Sequence, residues 1–89
     1  MTYGELDHKL SKIKELCRTK NWNGYNANPI SDVTIDRARN IALLLFNPKI
    51  SVYPTAADSI QIEFGNEDTY VEIQVFEDRE EIYCEIEKE

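Results

Sequence analysis

Residues 60–75 read IQIEFGNEDTYVEIQV, and this stretch decides the fold. On either side of a turn at 65–68, aliphatic and polar residues alternate, which is typical of strands that bury one face. A short link of this kind joins antiparallel neighbours. We therefore predict a hairpin, with strand 2 at 60–64 and strand 3 at 70–76.

The same alternation extends to both sides of the hairpin. A first strand is predicted from Ile50 to near Pro54, and a turn at 77–80 leads into a fourth strand. This last strand places on one side Ile82, Cys84 and Ile86. The four strands are expected to form an antiparallel meander whose aliphatic face is covered.

Two helices are predicted before the strands, because the apolar period there is 3.6 rather than 2. Thr2 and Glu5 have the spacing of a capping box, which begins a helix at 3–19. Ser31 is a suitable N-cap for a second helix at 32–46, which Pro48 prevents from continuing. The prediction is a single α+β domain over residues 1–89, with ααββββ order and both helices on one face of the sheet.

Charge is unevenly distributed along the chain. Residues 1–57 contain eight Lys and Arg and five Asp and Glu, a balance of +3; residues 58–89 contain two and twelve, a balance of −10. The net charge of −7 predicts repulsion from nucleic acids and anionic membranes, and attraction to a basic protein. The same carboxylates also suit a solvated sheet face that avoids edge-to-edge aggregation.

The sequence predicts a cytoplasmic protein. The first residues show neither the basic nor the apolar segment of a signal peptide, and no apolar run reaches the roughly 20 residues of a membrane span. Cys17 and Cys84 both fall on predicted apolar faces, where cytosolic proteins usually keep buried free thiols. A bridge between them stays open, because both are expected to face one core.

The sequence predicts no enzyme activity, no cofactor and no metal site. His8, the only histidine, is nine residues from Cys17 on the same predicted helix, which places them on opposite sides. Three glycines do not form a phosphate-binding loop, and two cysteines with one histidine do not make a zinc set. The acidic run at 77–81 lacks the ligand spacing and central glycine of a calcium loop.

An asparagine-rich loop joins the two helices and contains Trp22, Asn23, Tyr25 and Asn26. Asn and Gly tolerate left-handed backbone, so the loop is expected to be structured. The Trp22 ring is expected to close one end of the core, with its N–H bonded to a carbonyl. Alternatively, the four side chains line a pocket for a small ligand such as a nucleotide base.

The loop and the first two strands also contain a spaced set of residues, Trp22-x-Gly24-Tyr25-x-Ala27-x-Pro29-Ile30, Tyr53-Pro54-Thr55 and Asp58-Ser59-Ile60-Gln61-x-Glu63. This set resembles small bacterial and phage proteins that share a W-x-G-Y-x-A-x-P-I motif. The chain departs from that pattern at Ala57, where glycine is usual, and at Phe64, where tryptophan is common. The resemblance implies a phage or mobile-element setting and carries no activity with it.

The sheet face turned away from the helices is expected to combine aromatic rings with carboxylates. Rings anchor an interface and carboxylates attract a basic partner. Aromatic residues also favour strands, so a purely structural role is the competing interpretation. The candidate partner-binding residues are Tyr53, Glu63, Tyr70, Glu72, Phe76, Tyr83 and Glu85.

These features predict a non-enzymatic acidic binding protein that inhibits or neutralises a basic protein partner, of the phage counter-defence, immunity or antitoxin type. The first alternative is a protein that binds or sequesters a small nucleotide-like ligand through the loop of Trp22 and Tyr25, with a homodimer completing the pocket. A second alternative is a DNA mimic whose strand carboxylates stand in for phosphates. Direct binding to nucleic acid or to a membrane is not expected.

Overall fold

The computed structural model describes residues 1–86 and places two helices on one side of a four-stranded antiparallel sheet. The helices are α1 (Tyr3–Leu16) and α2 (Asp32–Leu44). The strands are β1 (Ser51–Thr55), β2 (Ser59–Gly65), β3 (Thr69–Val75) and β4 (Glu80–Ile86), and their order in the sheet follows the chain. The predicted α+β class and ααββββ order are confirmed.

Both helices begin at the predicted caps. The Thr2 hydroxyl accepts from the Glu5 amide, and the Glu5 carboxylate accepts from the Thr2 amide, each at 3.1 Å. These bonds from Thr2 hold the pKa of Glu5 below its usual value. The Ser31 hydroxyl accepts from the Thr34 amide at 3.2 Å. The helices end at Leu16 and Leu44, earlier than the predicted ends at 19 and 46.

The core lies between the helices and the first three strands. Helix α1 packs on β1, and α2 packs on β2 and β3. Across the sheet, Val52 lies opposite Ile62, and Ile62 lies opposite Ile73, which gives a continuous aliphatic layer under the helices. The side chains buried in the core include Leu6, Leu10, Ile13, Ile35, Ala38, Ala42, Val52, Ile60, Ile62, Ile73 and Val75.

Beyond Glu80, which pairs with Arg37 of α2, strand β4 is not covered by either helix. Ile82 is opposite Ile73 and Cys84 is opposite Val71, so the side predicted for these residues is right. Their predicted burial is wrong, because Ile82 is 68 % exposed, Ile86 is 62 % exposed and Cys84 is also exposed. No helix packs over this part of the sheet within residues 1–86.

The two cysteines therefore have different surroundings. Cys17 is buried, and burial raises the pKa of its thiol. Cys84 is a free thiol on the exposed strand, so its predicted burial is wrong, and neither cysteine forms a disulfide.

One carboxylate connects the sheet to the start of α2. Asp58 lies in the turn between β1 and β2, and its Oδ1 accepts from the Ser31 amide at 2.9 Å and from the Thr34 hydroxyl at 3.1 Å. Its backbone is left-handed, with φ of 52°. Because the Thr34 side chain is buried, this contact fixes α2 against the β1–β2 turn.

Over residues 1–86, neither helix has the length and apolar character needed to cross a bilayer.

Candidate functional site

The strand register brings five of the candidate residues together on the sheet face opposite the helices. Glu63, Glu72 and Tyr83 lie side by side across β2, β3 and β4. Tyr70 lies opposite Glu85, two residues along the same face. We refer to these five residues as the tyrosine–carboxylate cluster.

Tyr70 is the most constrained member of the cluster. Its side chain is half-buried although no helix lies on this face. Desolvation and the nearby carboxylates of Glu63 and Glu72 raise the pKa of Tyr70 to about 12. Glu63 accepts from Gln61 Nε2 at 2.6 Å, so its carboxylate is held in place beside the phenol.

Tyr83 forms the more open end of the cluster. Its hydroxyl donates to a Glu85 carboxylate oxygen at 3.3 Å, and 55 % of the residue is exposed. The negative charge of Glu85, followed by desolvation, raises the pKa of Tyr83. The ring therefore offers an apolar surface with a fixed hydroxyl, which suits an interface anchor.

Two candidate residues lie outside the cluster. Tyr53 is on the edge strand β1, opposite Gln61 and therefore two residues along the strands from the row of Glu63. Lys9 Nζ of α1 lies 4.8 Å from the centroid of the Tyr53 ring. Phe76 follows the end of β3 rather than continuing the strand, and the Arg79 guanidinium covers its ring at 3.9 Å. Phe76 is therefore less available to a partner than its place in the alternation indicated.

Among the open hollows that border the cluster, two have room for a side chain. The larger, of about 460 Å³, lies beside Tyr70 and Glu63 and is completed by Lys49 and Gly65. The smaller, of about 340 Å³, lies between Glu72 and Tyr83. Sequence reasoning missed Lys49 and Gly65. Gly65 could have been found from its place at the end of a predicted strand, because a glycine there often marks the close approach of another backbone segment.

The asparagine-rich loop is closed by its own bonds. The Trp22 ring packs against the core and its Nε1 donates to the Asn28 carbonyl at 2.6 Å, as the structural interpretation predicted. Asn23 Oδ1 accepts from the amides of Tyr25 and Ala27, at 2.8 Å and 3.2 Å.

Two asparagines of this loop have left-handed backbone. Asn21 has φ of 67° and Asn26 has φ of 62°, and the Asn26 amide donates to Asn21 Oδ1 at 2.6 Å. All four candidate ligand-binding residues thus supply groups that hold the loop together: the side chains of Trp22 and Asn23, and the backbone amides of Tyr25 and Asn26. The Tyr25 side chain is 87 % exposed.

Among the described residues, no group of three His, Cys, Asp or Glu side chains is arranged to hold a metal ion. No family model, no curated protein and no solved structure matches this chain. The fold and the site define a small two-layer α+β protein with a tyrosine–carboxylate cluster on the sheet face that its helices leave uncovered.

The raised pKa of Tyr70 predicts a loss of stability in alkali. The pKa of Tyr70 is about 12 in the folded protein and 10 in the unfolded chain. The protonated phenol therefore contributes its full stabilisation of the fold below pH 10, and this stabilisation is lost as the pH rises to 12. We expect the free energy of unfolding, measured by urea denaturation, to fall over this range. The fall should be smaller in Tyr70→Phe, and equal falls in both proteins would contradict the assignment.

Proposed function

We propose that this protein is a non-enzymatic binding protein that inhibits or neutralises a basic protein partner through the tyrosine–carboxylate cluster. The supporting observation is the cluster itself: two tyrosines and three glutamates on an uncovered sheet face, with Tyr83 bonded to Glu85 and Tyr70 beside Glu63. Cytoplasmic action of the counter-defence, immunity or antitoxin type belongs to the same proposal.

The chemistry of the cluster favours a basic partner over other ligands. Glu63 and Glu72 are direct neighbours across β2 and β3, which is unfavourable for two like charges unless a cation lies between them. A lysine or arginine of a partner would relieve this repulsion, and an arginine would also stack on a tyrosine ring. The hollow between Glu72 and Tyr83 provides room for such a side chain.

The preformed geometry supports binding rather than catalysis. The hydroxyl of Tyr83 is bonded to Glu85, and Tyr70 is half-buried beside Glu63, before any partner arrives, so little side-chain freedom remains to be lost on association. Desolvation and the nearby carboxylates raise the pKa values of both tyrosines, which makes these phenols poorer candidates for a general base. Tyr53 extends this surface toward β1, whereas Phe76 is left out of the proposed contact set because Arg79 covers it.

The test is affinity capture of host proteins followed by titration of the captured partner. We expect a basic protein whose activity falls when this protein is added. Tyr70→Ala combined with Tyr83→Ala is expected to weaken binding by about 30-fold, the loss typical of interface hot spots. Tyr25→Ala is the matched control, because Tyr25 is an exposed tyrosine away from the sheet.

Salt dependence gives an independent measure of the same interface. Binding should weaken as ionic strength rises, because exposed charges are screened over about 8 Å at physiological salt. Unchanged affinity in the double tyrosine variant, with the fold intact, would contradict the proposed function.

A further inference from the structure

The outer edge of β4 is the second unusual surface of the molecule. Within residues 1–86 no strand pairs with this edge, and all seven residues of β4 are exposed. Unpaired edge strands are usually shortened, covered, interrupted by proline or protected by charged side chains. At the opposite edge of the sheet β1 contains Pro54, whereas β4 contains no proline and carries the charges of Glu80, Glu81 and Glu85 instead.

On the helix side, β4 extends beyond α2 as an apolar shelf formed by Ile82, Cys84 and Ile86. Helix α2 provides the wall of this shelf. Its Arg37 donates to the Phe76 carbonyl at 3.0 Å and pairs with Glu80, which fixes this side of the helix toward the β3–β4 hairpin. Leu44, seven residues further along the same side, is 84 % exposed.

The other side of the same strand is acidic. Glu81, Tyr83 and Glu85 alternate with the shelf residues and adjoin Glu72 on β3. A strand that pairs with β4 therefore meets an apolar surface on one side and carboxylates on the other. The segment that satisfies both has apolar residues alternating with lysine or arginine.

Charge argues against a second copy of this chain as the occupant. If two copies of β4 paired antiparallel about Tyr83, Glu81 of one would lie opposite Glu85 of the other, twice over. Like charges directly opposite each other are destabilising. Other registers also bring Glu80, Glu81 and Glu85 of both copies onto one pair of strands, so the carboxylates disfavour self-pairing through this edge and favour a basic partner strand.

We infer that a basic, amphipathic extended segment of the partner adds to the sheet at β4, with its apolar residues on the shelf and its cationic residues beside Tyr83 and Glu85. This inference rests on the proposed function and specifies how the partner binds. Main-chain bonds to β4 would supply affinity, and the two faces of the strand would supply specificity.

The probe is a synthetic seven-residue peptide of alternating valine and lysine, as long as β4. We expect saturable binding by fluorescence anisotropy and slower hydrogen exchange at the β4 amides. Binding should be lost when all main-chain nitrogens of the peptide are methylated, which removes the donors from both of its edges, and when valines and lysines are grouped in two blocks. Ile82→Thr with Ile86→Thr should weaken binding about tenfold through lost apolar contact.

Leu16→Thr is the matched control, because Leu16 is 70 % exposed and belongs to α1. This helix packs on β1, at the opposite edge of the sheet from β4. The inference is overturned if the alternating peptide does not bind. It is also overturned if the methylated peptide, or the peptide with grouped valines and lysines, binds as well as the alternating one, or if the double isoleucine variant binds as the Leu16→Thr control does. None of these results removes the proposed function, which falls only if the double tyrosine variant retains full affinity for the captured partner.

Discussion

Replacing Gly65 by alanine is expected to lower the free energy of unfolding by about 3 kcal/mol, the upper part of the usual range for overpacking. A Cβ at this position would lie 2.2 Å from the Thr69 carbonyl oxygen and 3.0 Å from Tyr70 Cα. Both are backbone atoms of the β2–β3 hairpin, so neither can move aside without opening the hairpin. Urea denaturation of the two proteins measures the difference.

Gly4→Ala is the matched control for this substitution. Gly4 lies in the first turn of α1, and the nearest atom to an added Cβ is Thr2 Oγ1 at 3.9 Å. The helix gains stability from alanine, by up to about 1 kcal/mol. Opposite signs at the two glycines are therefore expected, and a Gly65→Ala protein as stable as wild type would show that the hairpin does not require this close approach.

Replacing Asp58 by alanine is expected to lower the free energy of unfolding by about 2 kcal/mol. The substitution leaves the Ser31 amide without its acceptor, at a cost of about 1–3 kcal/mol for such a group, and leaves the buried Thr34 hydroxyl with Ser31 Oγ as its remaining partner. It also places alanine in left-handed backbone, where φ is 52°. Thermal or urea unfolding reports the loss.

Asp58→Asn distinguishes the contribution of the hydrogen-bond acceptor from that of the negative charge. Asparagine keeps a side-chain oxygen and tolerates left-handed backbone, so only the carboxylate charge near the start of α2 is removed, worth about 0.3–1 kcal/mol. The expected order of stability is wild type, then Asn, then Ala. Equal losses in the two variants would mean that the charge, rather than the two hydrogen bonds, provides the stabilisation.

The fold was predictable because its signals are local. The capping box of Thr2 and Glu5, the N-cap at Ser31 and the alternation on both sides of the 65–68 turn each specify an element within a few residues. Once the strands are placed, short turns allow only antiparallel neighbours. The same alternation correctly assigned Glu63, Tyr70, Glu72, Tyr83 and Glu85 to one face.

The error at β4 shows what periodicity leaves out. Alternation states on which side of a strand Ile82, Cys84 and Ile86 lie, but not whether another layer extends over that side. The extent of cover depends on where α2 crosses the sheet. That position is set by tertiary contacts, such as those of Arg37 with Phe76 and Glu80, between residues about 40 positions apart.

Phe76 and the asparagine-rich loop illustrate a second limit. Phe76 continues the alternation in sequence, yet Val75 is the last residue of β3 and the Phe76 ring is covered by Arg79. In the loop, residue types indicated an ordered turn, but only the bonds made by Asn23 and by the Trp22 N–H show that these groups are already engaged. Whether a polar group has a hydrogen-bond partner depends on its neighbours in three dimensions, which the periodicity of the sequence does not show.

The uneven distribution of charge between the two layers gives the molecule an electric dipole moment. Each helix carries as many basic as acidic residues, whereas the sheet strands and turns of residues 58–86 carry ten Asp and Glu and one Arg. In the field of a cationic protein, a torque turns the negative layer forward before the two molecules touch. Fewer collisions then occur in unproductive orientations, which raises the association rate at low ionic strength even when the final contacts are unchanged.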